Sequence, residues 1–549
     1  MIRWVNILLT PTVVVVGFMA PNLLNHYHRC TSTTDTLLHP SCQYLHSSVI
    51  SPSTILTLTE DSMMSRLSPD EELKEHHPDQ AAEEDSTAGL DLEGLCRKLN
   101  ASPKHSIRFE STPDDGVRGV YLNHAVKRGD IILSVPLSSC LTDDSVPSWM
   151  AKYLESNEDH DAFHPSGWAI RLASRWMDMK VKDAKGDLDP GYAFWLSLMP
   201  PADHLRASLP VHWLQDTIQN ARCTALEVSV SSAQLARAEA IDDLADAMWN
   251  YYYHHHDQKQ NGGHHHHHSY QDRASESQSV ETIRTLCDEA LDIVQTRSCR
   301  LERTANGGRS FGPPIRALVP IFDMINHGSA KCRGEFGANA NFGLEGGGIM
   351  MDNDDVDDHA RVVVRAMRDL RAGEEILIDY GASARPAWKC LLSYGFVPRY
   401  NRIPAPGETM VEEDIDDDDD DDENIAEVYM DGVRYEVGPS SIPVDMVAAA
   451  AVSIMADSGV LNGHEALDDD VALTPDVSMK LARRISDVAY HLLLEPEQDM
   501  YDDHPAATPT PFQVISNRLA AALRWSDHRV LMACAWELMD AATEETSYL

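Results

Sequence analysis

The stretch Leu318–His327 (LVPIFDMINH) constrains the fold of this chain more than any other short segment. It joins a continuous apolar run to three polar residues at the end of the run, Asp323, Asn326 and His327. The apolar run is typical of a buried strand or a tight turn, and a buried segment can carry Asn and His only if their donors and acceptors are hydrogen-bonded. Taken alone, the stretch is best interpreted as an Asx-type turn with a hydrogen-bonded histidine, since short motifs often match by chance.

Two downstream segments change that interpretation. Arg361–Val364 and Glu375–Tyr380 are predicted strands separated by a turn, and a later apolar run ends in Tyr394-Gly395-Phe396. The resulting order is an apolar segment ending in Asn-His, then a strand ending in Tyr-Gly, then Tyr-Gly-Phe. This order resembles the catalytic half of a SET-domain protein methyltransferase. More narrowly, it resembles the Rubisco large-subunit lysine N-methyltransferase-like family, whose patterns run LVPxxDxxNH, GEExxIxYG and LxxYGF.

The resemblance implies an α+β fold in which a SET domain of short β-sheets with a helical insert is followed by an all-α substrate-binding domain. We expect the SET domain at residues 90–400, its helical insert at 143–295 and the helical substrate-binding domain at 425–549. Within the insert, apolar residues over Val280–Val294 recur at the spacing of one buried helix face. The longest C-terminal helix is predicted over Val514–Ala541 on the same grounds.

Three polar segments of the chain are predicted to be solvated. Residues 61–89 are charged with few apolar side chains, and residues 401–424 include seven consecutive aspartates, so both are interpreted as disordered linkers. Residues 251–268 of the insert hold runs of three and five histidines. No rigid element fixes a ligand geometry in this histidine-rich loop, and the aspartate run lacks the alternating spacing of a calcium loop. We therefore predict no metal site.

Residues 1–60 resemble a targeting presequence or a signal-like segment. Arg3 precedes an apolar stretch that is short for a membrane span, and the residues after it are rich in Ser, Thr and His and nearly free of acid. The junction Gly17–Pro21 resembles the bipartite plastid-targeting presequences of algae with secondary plastids. We expect delivery to a plastid and no stable membrane insertion of the mature protein. The alternatives are a signal-anchored membrane protein and a cytoplasmic protein whose gene model carries a spurious upstream extension.

The balance of charges and cysteines limits the partners. The formal net charge of −42 at pH 7 leaves no surplus of Lys and Arg for phosphate contacts, so we predict no nucleic-acid binding. Ten cysteines are scattered without a CxxC pair, which indicates neither a zinc site nor a disulfide framework and suits a reducing compartment. Many histone-directed SET proteins carry zinc-binding cysteine clusters, so a non-histone substrate is expected. We predict a monomer whose partner is a lysine-containing protein substrate.

The chemistry that the resemblance implies is methyl transfer from S-adenosyl-L-methionine to a protein side chain. An in-line displacement needs no nucleophilic side chain of the enzyme, but the acceptor nitrogen, the methyl carbon and the sulfur must be held on one line. A lysine must also lose its proton, which an apolar, aromatic channel favours. Tyr380 is the catalytic candidate, since its hydroxyl can orient the amine or the polarised methyl group, and Tyr394 and Phe396 are suitable walls.

The resemblance also implies residues that bind the cofactor and the substrate. Asn326 and His327 match family residues that bind S-adenosylmethionine partly through backbone groups, so we interpret them as cofactor-binding and not as an acid or base. Asp323 is interpreted as structural. The cofactor-binding candidates are Arg118, Gly119, Val120, Asn326, His327, Tyr380 and Phe396. The substrate-binding candidates are Arg297, Cys299, Phe322 and Tyr394.

Three other functions stay open. Val117 replaces the first glycine of the family's GRGL-type turn, and Ala384-Arg385-Pro386 replaces its usual Ser-Asn, both of which favour a SET-like module that has lost activity and binds a partner. A membrane-anchored scaffold is favoured if residues 4–20 are retained. A related branch of the family methylates a histidine of actin and presents asparagine and tryptophan at the positions of Cys299 and Phe322. Because this chain has neither polar group there, we predict lysine as the acceptor.

Overall fold

A computed structural model of the chain describes residues 92–103, 107–111, 118–156, 167–251, 270–303, 313–328, 337–346, 360–381, 385–398, 425–430, 432–438, 441–457, 474–494 and 509–547. The predicted presequence, the linker at 61–89, the acidic linker at 401–424 and residues 252–268 of the histidine-rich loop lie outside the described residues. Val117 and Ala384 lie outside them as well.

The described residues combine short strands with long helices, which confirms the predicted α+β class. Among them, no helix is both long and apolar enough to cross a membrane. The strands are β1 (Ser102–Pro103), β2 (Ile107–Ser111), β3 (Arg118–Leu122), β4 (Ile131–Pro136), β5 (Leu141–Thr142), β6 (Cys299–Leu301), β7 (Ile315–Leu318), β8 (Asn326–His327), β9 (Ala340–Glu345), β10 (Arg361–Ala366), β11 (Leu377–Ile378), β12 (Ala426–Met430) and β13 (Val433–Val437). The helices are α1 (Leu92–Lys98), α2 (Ser148–Ser156), α3 (Trp168–Ala184), α4 (Pro190–Ser197), α5 (Ala202–Ser208), α6 (Gln215–Asn220), α7 (Thr224–Trp249), α8 (Tyr270–Arg297), α9 (Ala387–Tyr394), α10 (Val444–Asp457), α11 (Pro475–Leu493) and α12 (Pro511–Ser547).

The largest sheet has six strands in the order β1-β4-β10-β9-β11-β8. In β10, residues 362–364 are three consecutive buried valines, and such a run favours a strand that is covered on both faces. β10 pairs antiparallel with β4 and β9. β11 instead runs parallel to β8, which places Leu377 opposite Asn326 and Ile378 opposite His327. The Asn-His pair and the strand of the second motif are therefore hydrogen-bonded neighbours.

The chain makes a strained turn between β7 and the Asn-His pair. β7 lies in a three-stranded sheet of order β5-β7-β6, and after it Ile321 adopts φ 72° and ψ −47°. A β-branched residue rarely adopts a positive φ, so the surrounding structure must hold this one in place. Ile321 is fully buried, and its carbonyl oxygen accepts a hydrogen bond from the amide of Met324 at 3.1 Å. The 3₁₀ turn Phe322–Met324 then leads the chain into β8.

Asn339 fixes the backbone at the start of β11 through its side chain. Its Nδ2 donates to the backbone oxygen of Glu375 at 2.7 Å, and its Oδ1 accepts from the backbone amide of Leu377 at 2.9 Å. The residue is 2% exposed, so neither contact competes with bulk water. Sequence patterns did not identify this residue, because a single asparagine outside a recognised motif carries no periodic signal.

Among the described residues, 145–187 and 231–291 form one compact unit. This unit contains α2, α3 and most of α7 and α8. Arg237 of α7 donates through Nε to Asp288 Oδ1 of α8 at 2.7 Å. Arg237 is 6% exposed, so the two charges form a buried ion pair, and loss of either partner would leave the other charge uncompensated.

The second compact unit comprises the described residues of 81–144, 188–230 and 292–549. It contains the sheets above and the C-terminal helices. Its C-terminal part has a core in which the hairpin β12–β13 packs with α10, α11 and α12 around Val428, Leu481 and Leu531. Residues of β12 alternate between buried and less buried positions, as expected for a strand with one covered face. A further core cluster in this unit includes Trp388 of α9 and Leu523 of α12.

Two carboxyl groups are buried in the C-terminal part of the second unit. Asp527 of α12 is 5% exposed, and the side chain of Glu427 in β12 is 2% exposed. Burial, and then the neighbouring Glu427, raise the pKa of Asp527 to about 8. Burial also raises the pKa of Glu427, an effect that Arg434 opposes. Asp527 therefore keeps its proton in the folded protein at neutral pH.

Replacing Asp527 with Asn should stabilise the protein most at alkaline pH. Folding raises the pKa of this carboxyl from 3.8 to about 8, so its contribution to stability is complete below about pH 4 and is lost as the pH rises toward 8. The amide of an Asn does not titrate, so its contribution to stability does not fall as the pH rises. We expect D527N to raise the Tm by about 3 °C or more at pH 8, and by less at pH 5. Asp540→Asn, at an exposed position of the same helix, is the matched control. Equal gains for D527N at both pH values would contradict the assignment.

Candidate active site

The hydroxyl group of Tyr380 is fixed just beyond β11. It donates to the backbone oxygen of Ile325 at 2.5 Å, while the backbone oxygen of Tyr380 accepts from the hydroxyl of Tyr394 at 3.2 Å. Burial raises the pKa of Tyr380 well above its ordinary value, an effect that Arg297 opposes. The phenol therefore keeps its proton, which points at Ile325. What Tyr380 Oη can offer a reactant is a lone pair, so it can accept a hydrogen bond but cannot act as a base.

Four aromatic rings, one of them the ring of Tyr380, lie close together here. The ring centroids of Tyr380 and Tyr394 are 5.1 Å apart, and those of Tyr380 and His327 are 5.2 Å apart. The ring of Phe396 lies 6.0 Å from that of Tyr394, nearly parallel to it, and 5.5 Å from that of His327. The structure therefore brings together the first, second and third motifs in one aromatic cluster, formed by His327, Tyr380, Tyr394 and Phe396.

Gly395 makes the turn that brings the rings of Tyr394 and Phe396 together. Helix α9 ends at Tyr394, and Gly395 caps it with φ 78°, a left-handed conformation that glycine adopts without strain. A Cβ atom at this position would lie 2.8 Å from Ser208 Oγ. Position 395 therefore requires a residue that lacks a side chain and can adopt a positive φ. The resulting turn places Phe396 beside Tyr394.

His327 is neutral in the folded protein. Its Nδ1 accepts a hydrogen bond from the backbone amide of Tyr380 at 3.3 Å, so the ring proton lies on Nε2. Burial lowers the pKa of His327, although the neighbouring Asp379 opposes this shift. Nδ1 is 4.0 Å from Asp379 Oδ1, which is too far for a hydrogen bond. The aromatic cluster thus contains no positive charge of its own.

Glu375 links the first hairpin to the Asn-His pair. Its Oε1 accepts from Asn326 Nδ2 at 2.8 Å, and its Oε2 lies 3.4 Å from the hydroxyl of Tyr121. A Cβ atom on Gly119 would lie 2.3 Å from Glu375 Oε1, so a glycine is needed for this approach. Sequence reasoning did not single out Glu375, because an acidic residue at the start of a strand is usually solvated.

The three predicted cofactor residues of the first hairpin lie on β3. There, Arg118, Gly119 and Val120 pair with Ser111, Glu110 and Phe109 of β2. Val120 is fully buried, and its backbone oxygen accepts from the amide of Ile376 at 2.8 Å. The structure therefore places the backbone of this segment beside the strand that leads to Tyr380.

Arg297, a predicted substrate-binding residue, contacts the turn before β8. Its Nη1 donates to the backbone oxygen of Asp323 at 2.6 Å. The carboxylate of Asp323 accepts from Trp195 Nε1 at 3.1 Å, and both partners are buried. Burial raises the pKa of Asp323 to about 6, and Arg297 opposes the shift. These contacts give Asp323 a structural role in the turn, and they hold Arg297 close to Tyr380, whose pKa it influences.

The other two predicted substrate-binding residues have different surroundings. Phe322 is buried and packs on Phe342 at a centroid distance of 4.8 Å. Cys299 lies at the start of β6, opposite Ala317, and burial raises the pKa of its thiol to about 12. Arg316, which sequence patterns did not identify, has its pKa lowered by burial and has Tyr394 and Cys299 among its titratable neighbours.

Acid should destabilise the site by protonating His327. The pKa of His327 in the folded protein lies below its ordinary value of 6.5, so the stabilisation it provides is present at neutral pH and is lost as the pH falls through the folded-state pKa. His327→Asn keeps an acceptor near the position of Nδ1 but does not titrate. We expect the fall in Tm between pH 7 and pH 5 to be about 2 °C smaller in H327N than in the wild type. His491→Asn, at an exposed histidine, is the control. The same acid dependence in H327N and the wild type would show that His327 is not responsible.

Comparison with known proteins finds a domain match and similar solved structures. Residues 117–381 match the family model described as "SET domain". Among curated protein sequences, none matches this chain. The chain is similar to the solved SET domain of LSMT bound to lysine and AdoHcy, with 11% identity and a TM-score of 0.42 over 82% of this chain and 90% of that one. It is similar to Rubisco LSMT bound to AdoMet, with 12% identity and a TM-score of 0.42 over 82% and 91% of the two chains. It is also similar to Rubisco LSMT bound to sinefungin and monomethyllysine, with 12% identity and a TM-score of 0.42 over 83% of this chain and 91% of that one.

The family match begins at the first hairpin and ends at Gly381, just after the candidate catalytic tyrosine. It therefore includes the three segments that the structure brings together, namely β3, the Asn-His pair of β8 and the strand β11. This chain accordingly contains a SET domain at residues 117–381.

Proposed function

We propose that this SET-domain protein is an S-adenosylmethionine-dependent protein methyltransferase that methylates the side-chain amine of lysine in a non-histone protein. The observation that carries the proposal is the fixed hydroxyl group of Tyr380. Its proton is donated to the backbone oxygen of Ile325, and the ring that carries it belongs to the aromatic cluster. Such a group can orient an uncharged amine without taking its proton.

The residues around this cluster fit S-adenosylmethionine. The backbone of β3 lies beside the strand that leads to Tyr380, and Glu375 fills the space beside Gly119. Asn326 and His327 supply polar groups from β8, and Phe396 supplies an aromatic face. We assign the cofactor to Arg118–Val120, Asn326, His327, Tyr380 and Phe396. When bound, S-adenosylmethionine supplies an electrophilic methyl group.

The side chains of this site suit a neutral amine. A lysine ammonium that enters the aromatic cluster loses its water, and this desolvation favours the uncharged form. Burial raises the pKa of Tyr380, so its phenol keeps its own proton. Burial lowers the pKa of His327, so its imidazole is a weak base. We therefore assign to neither residue the role of accepting the lysine proton. The proton therefore leaves to solvent before transfer. Tyr380 Oη then accepts an N–H of the amine and directs the nitrogen lone pair along the line of displacement.

The surroundings of Cys299 and Phe322 favour lysine over histidine as the acceptor. The Cys299 thiol is neutral and a weak donor, and Phe322 has no polar atom and packs on Phe342. If these two residues line the acceptor site, an imidazole there would leave a nitrogen without a strong partner, at a cost of about 1–3 kcal/mol. The aliphatic stem of lysine makes no such demand. The net charge of −42 favours a basic protein as substrate.

Removing the hydroxyl of Tyr380 should lower turnover and leave cofactor binding nearly unchanged. If Oη orients the amine in the transition state, Tyr380→Phe should reduce kcat by about 100-fold, with the Kd for S-adenosylmethionine within about threefold of the wild type. Calorimetry and a radiolabelled methyl-transfer assay measure the two quantities. Tyr490→Phe, at an exposed position of α11, is the control. Unaltered turnover in Y380F would remove Tyr380 from the mechanism.

The methylated residue identifies the acceptor directly. The full chain is incubated with methyl-labelled S-adenosylmethionine and plastid extract, and the labelled protein is hydrolysed in acid. We expect methyllysine as the main labelled amino acid, because its stem fits the aromatic and apolar walls. Methylhistidine as the main species would overturn the acceptor assignment. Cofactor binding without any transfer would instead support a module that binds partners and has lost activity.

A further inference from the structure

Arg385 lies at the rim of the aromatic cluster, close to Tyr394. Its Nη2 atom is 3.7 Å from the point where a Cβ atom of Gly381 would lie, and Gly381 directly follows Tyr380 in the chain. Burial raises the pKa of Tyr394, and Arg385 opposes this shift more than any other charged group does. The guanidinium group is therefore a near neighbour of a predicted substrate-binding residue.

The charged neighbours of the cluster differ between its cofactor side and its substrate side. Asp379 is the charged side chain that acts on the pKa of His327, a predicted cofactor-binding residue. Arg385 is instead the main charged side chain that acts on the pKa of Tyr394. An anion that binds Arg385 is therefore expected on the side where the substrate enters.

Arg385 is held in place by its own backbone and is open to a negatively charged partner. Pro386 follows it and begins α9 with φ −52°, and a residue before proline is largely restricted to extended backbone. Arg385 is half-buried, and within the described part of the chain no carboxylate forms a hydrogen bond or an ion pair with its guanidinium group. Asp379, the acid that also acts on Tyr394, accepts from the backbone amide of Gly381 at 2.8 Å. A guanidinium that is partly withdrawn from water favours an anion as its partner.

A second arginine adds positive charge beside Tyr394. Arg316 of β7 is another charged group that acts on the pKa of Tyr394. It lies directly opposite Arg300 of β6, and like charges in this cross-strand arrangement repel each other. A carboxylate bound beside Tyr394 would be attracted by both Arg385 and Arg316.

We propose that Arg385 is a specificity-determining residue, which binds the carboxylate of an aspartate or glutamate near the target lysine of the substrate protein. The inference rests on the proposed function and adds a feature of the substrate to it. A guanidinium can donate two parallel hydrogen bonds to one carboxylate, which a lysine cannot do. The net charge of −42 attracts a basic protein from a distance, whereas this contact acts only next to the lysine. The expected substrate is therefore a basic protein with an acidic residue close to the methylated lysine.

Short peptides with one central lysine test this contact. Each flanking position in turn carries Glu, Gln or Lys, and methyl transfer from S-adenosylmethionine is measured. For the wild type we expect kcat/KM to be about tenfold higher or more with Glu than with Gln at one flanking position, because a hydrogen bond between two charged groups forms there. Arg385→Glu should reverse the preference at that position from Glu to Lys. Arg385→Gln should nearly abolish it.

The matched control makes the same change of charge at another exposed arginine of the SET domain. Arg371 lies in the turn between β10 and β11, away from Tyr394 in the sequence and exposed to solvent. We expect R371E to keep the wild-type preference for Glu. Calorimetric titration gives the Kd of each variant for S-adenosylmethionine, and the Tm reports its folding.

The outcomes separate this inference from the proposed function. A reversed preference in R385E and not in R371E supports the assignment. Methylation of the peptides without a preference for an acid overturns the inference and leaves the proposed function intact, and so does an equal loss of preference in R385E and R371E. A Kd for S-adenosylmethionine about tenfold higher in R385Q would show that the guanidinium serves the cofactor, which also overturns it.

Proteins of the plastid extract provide the same readout if the enzyme accepts only whole proteins. The labelled lysines are then located by mass spectrometry, and we expect an acidic residue at a constant distance from each of them. Labelled lysines without such a neighbour would overturn the inference. If the wild type transfers a methyl group to no lysine of the peptides or the extract, the proposed function fails and the inference fails with it.

Discussion

The site depends on the pairing of β11, a strand of only two residues. It runs parallel to β8 and β9, and the residues just before it bond to β3. A strand this short has little stability of its own, so its position is set by its neighbours and by the side chain of Asn339. Because Tyr380 follows β11 directly, every contact that fixes this strand also fixes the hydroxyl group.

The site is nearly free of charge at its centre and charged at its edge. Burial keeps Tyr380 protonated and His327 neutral, and the rings of Tyr394 and Phe396 add apolar surface. The carboxylate of Glu375 lies on the side of β3 and Asn326. The candidate site therefore combines an apolar centre with a charged edge. Electrostatics thus distinguish the two halves of the proposed site.

The strained turn at Ile321 shows how packing overrides local preference. A left-handed β-branched residue contradicts the propensity of its own sequence, yet Ile321 is completely buried and its carbonyl oxygen is hydrogen-bonded. The apolar surroundings of β7 and the hydrogen bond between Trp195 and Asp323 stabilise this conformation. The turn places Asn326 and His327 beside β11. Backbone strain at this point is a consequence of bringing the polar pair beside Tyr380.

The sequence by itself predicted the SET domain and the α+β class, through the resemblance of three motifs whose residues and order are local properties that need no knowledge of contacts. It also pointed to Tyr380, Tyr394, Phe396 and His327, which lie in one cluster. Only the tertiary structure decided the roles of Glu375 and Asn339, the surroundings of Phe322 and the burial of Asp527. These depend on which distant residues become neighbours, and a carboxylate or an amide has the same letter in the sequence whether it is solvated or buried beside a partner.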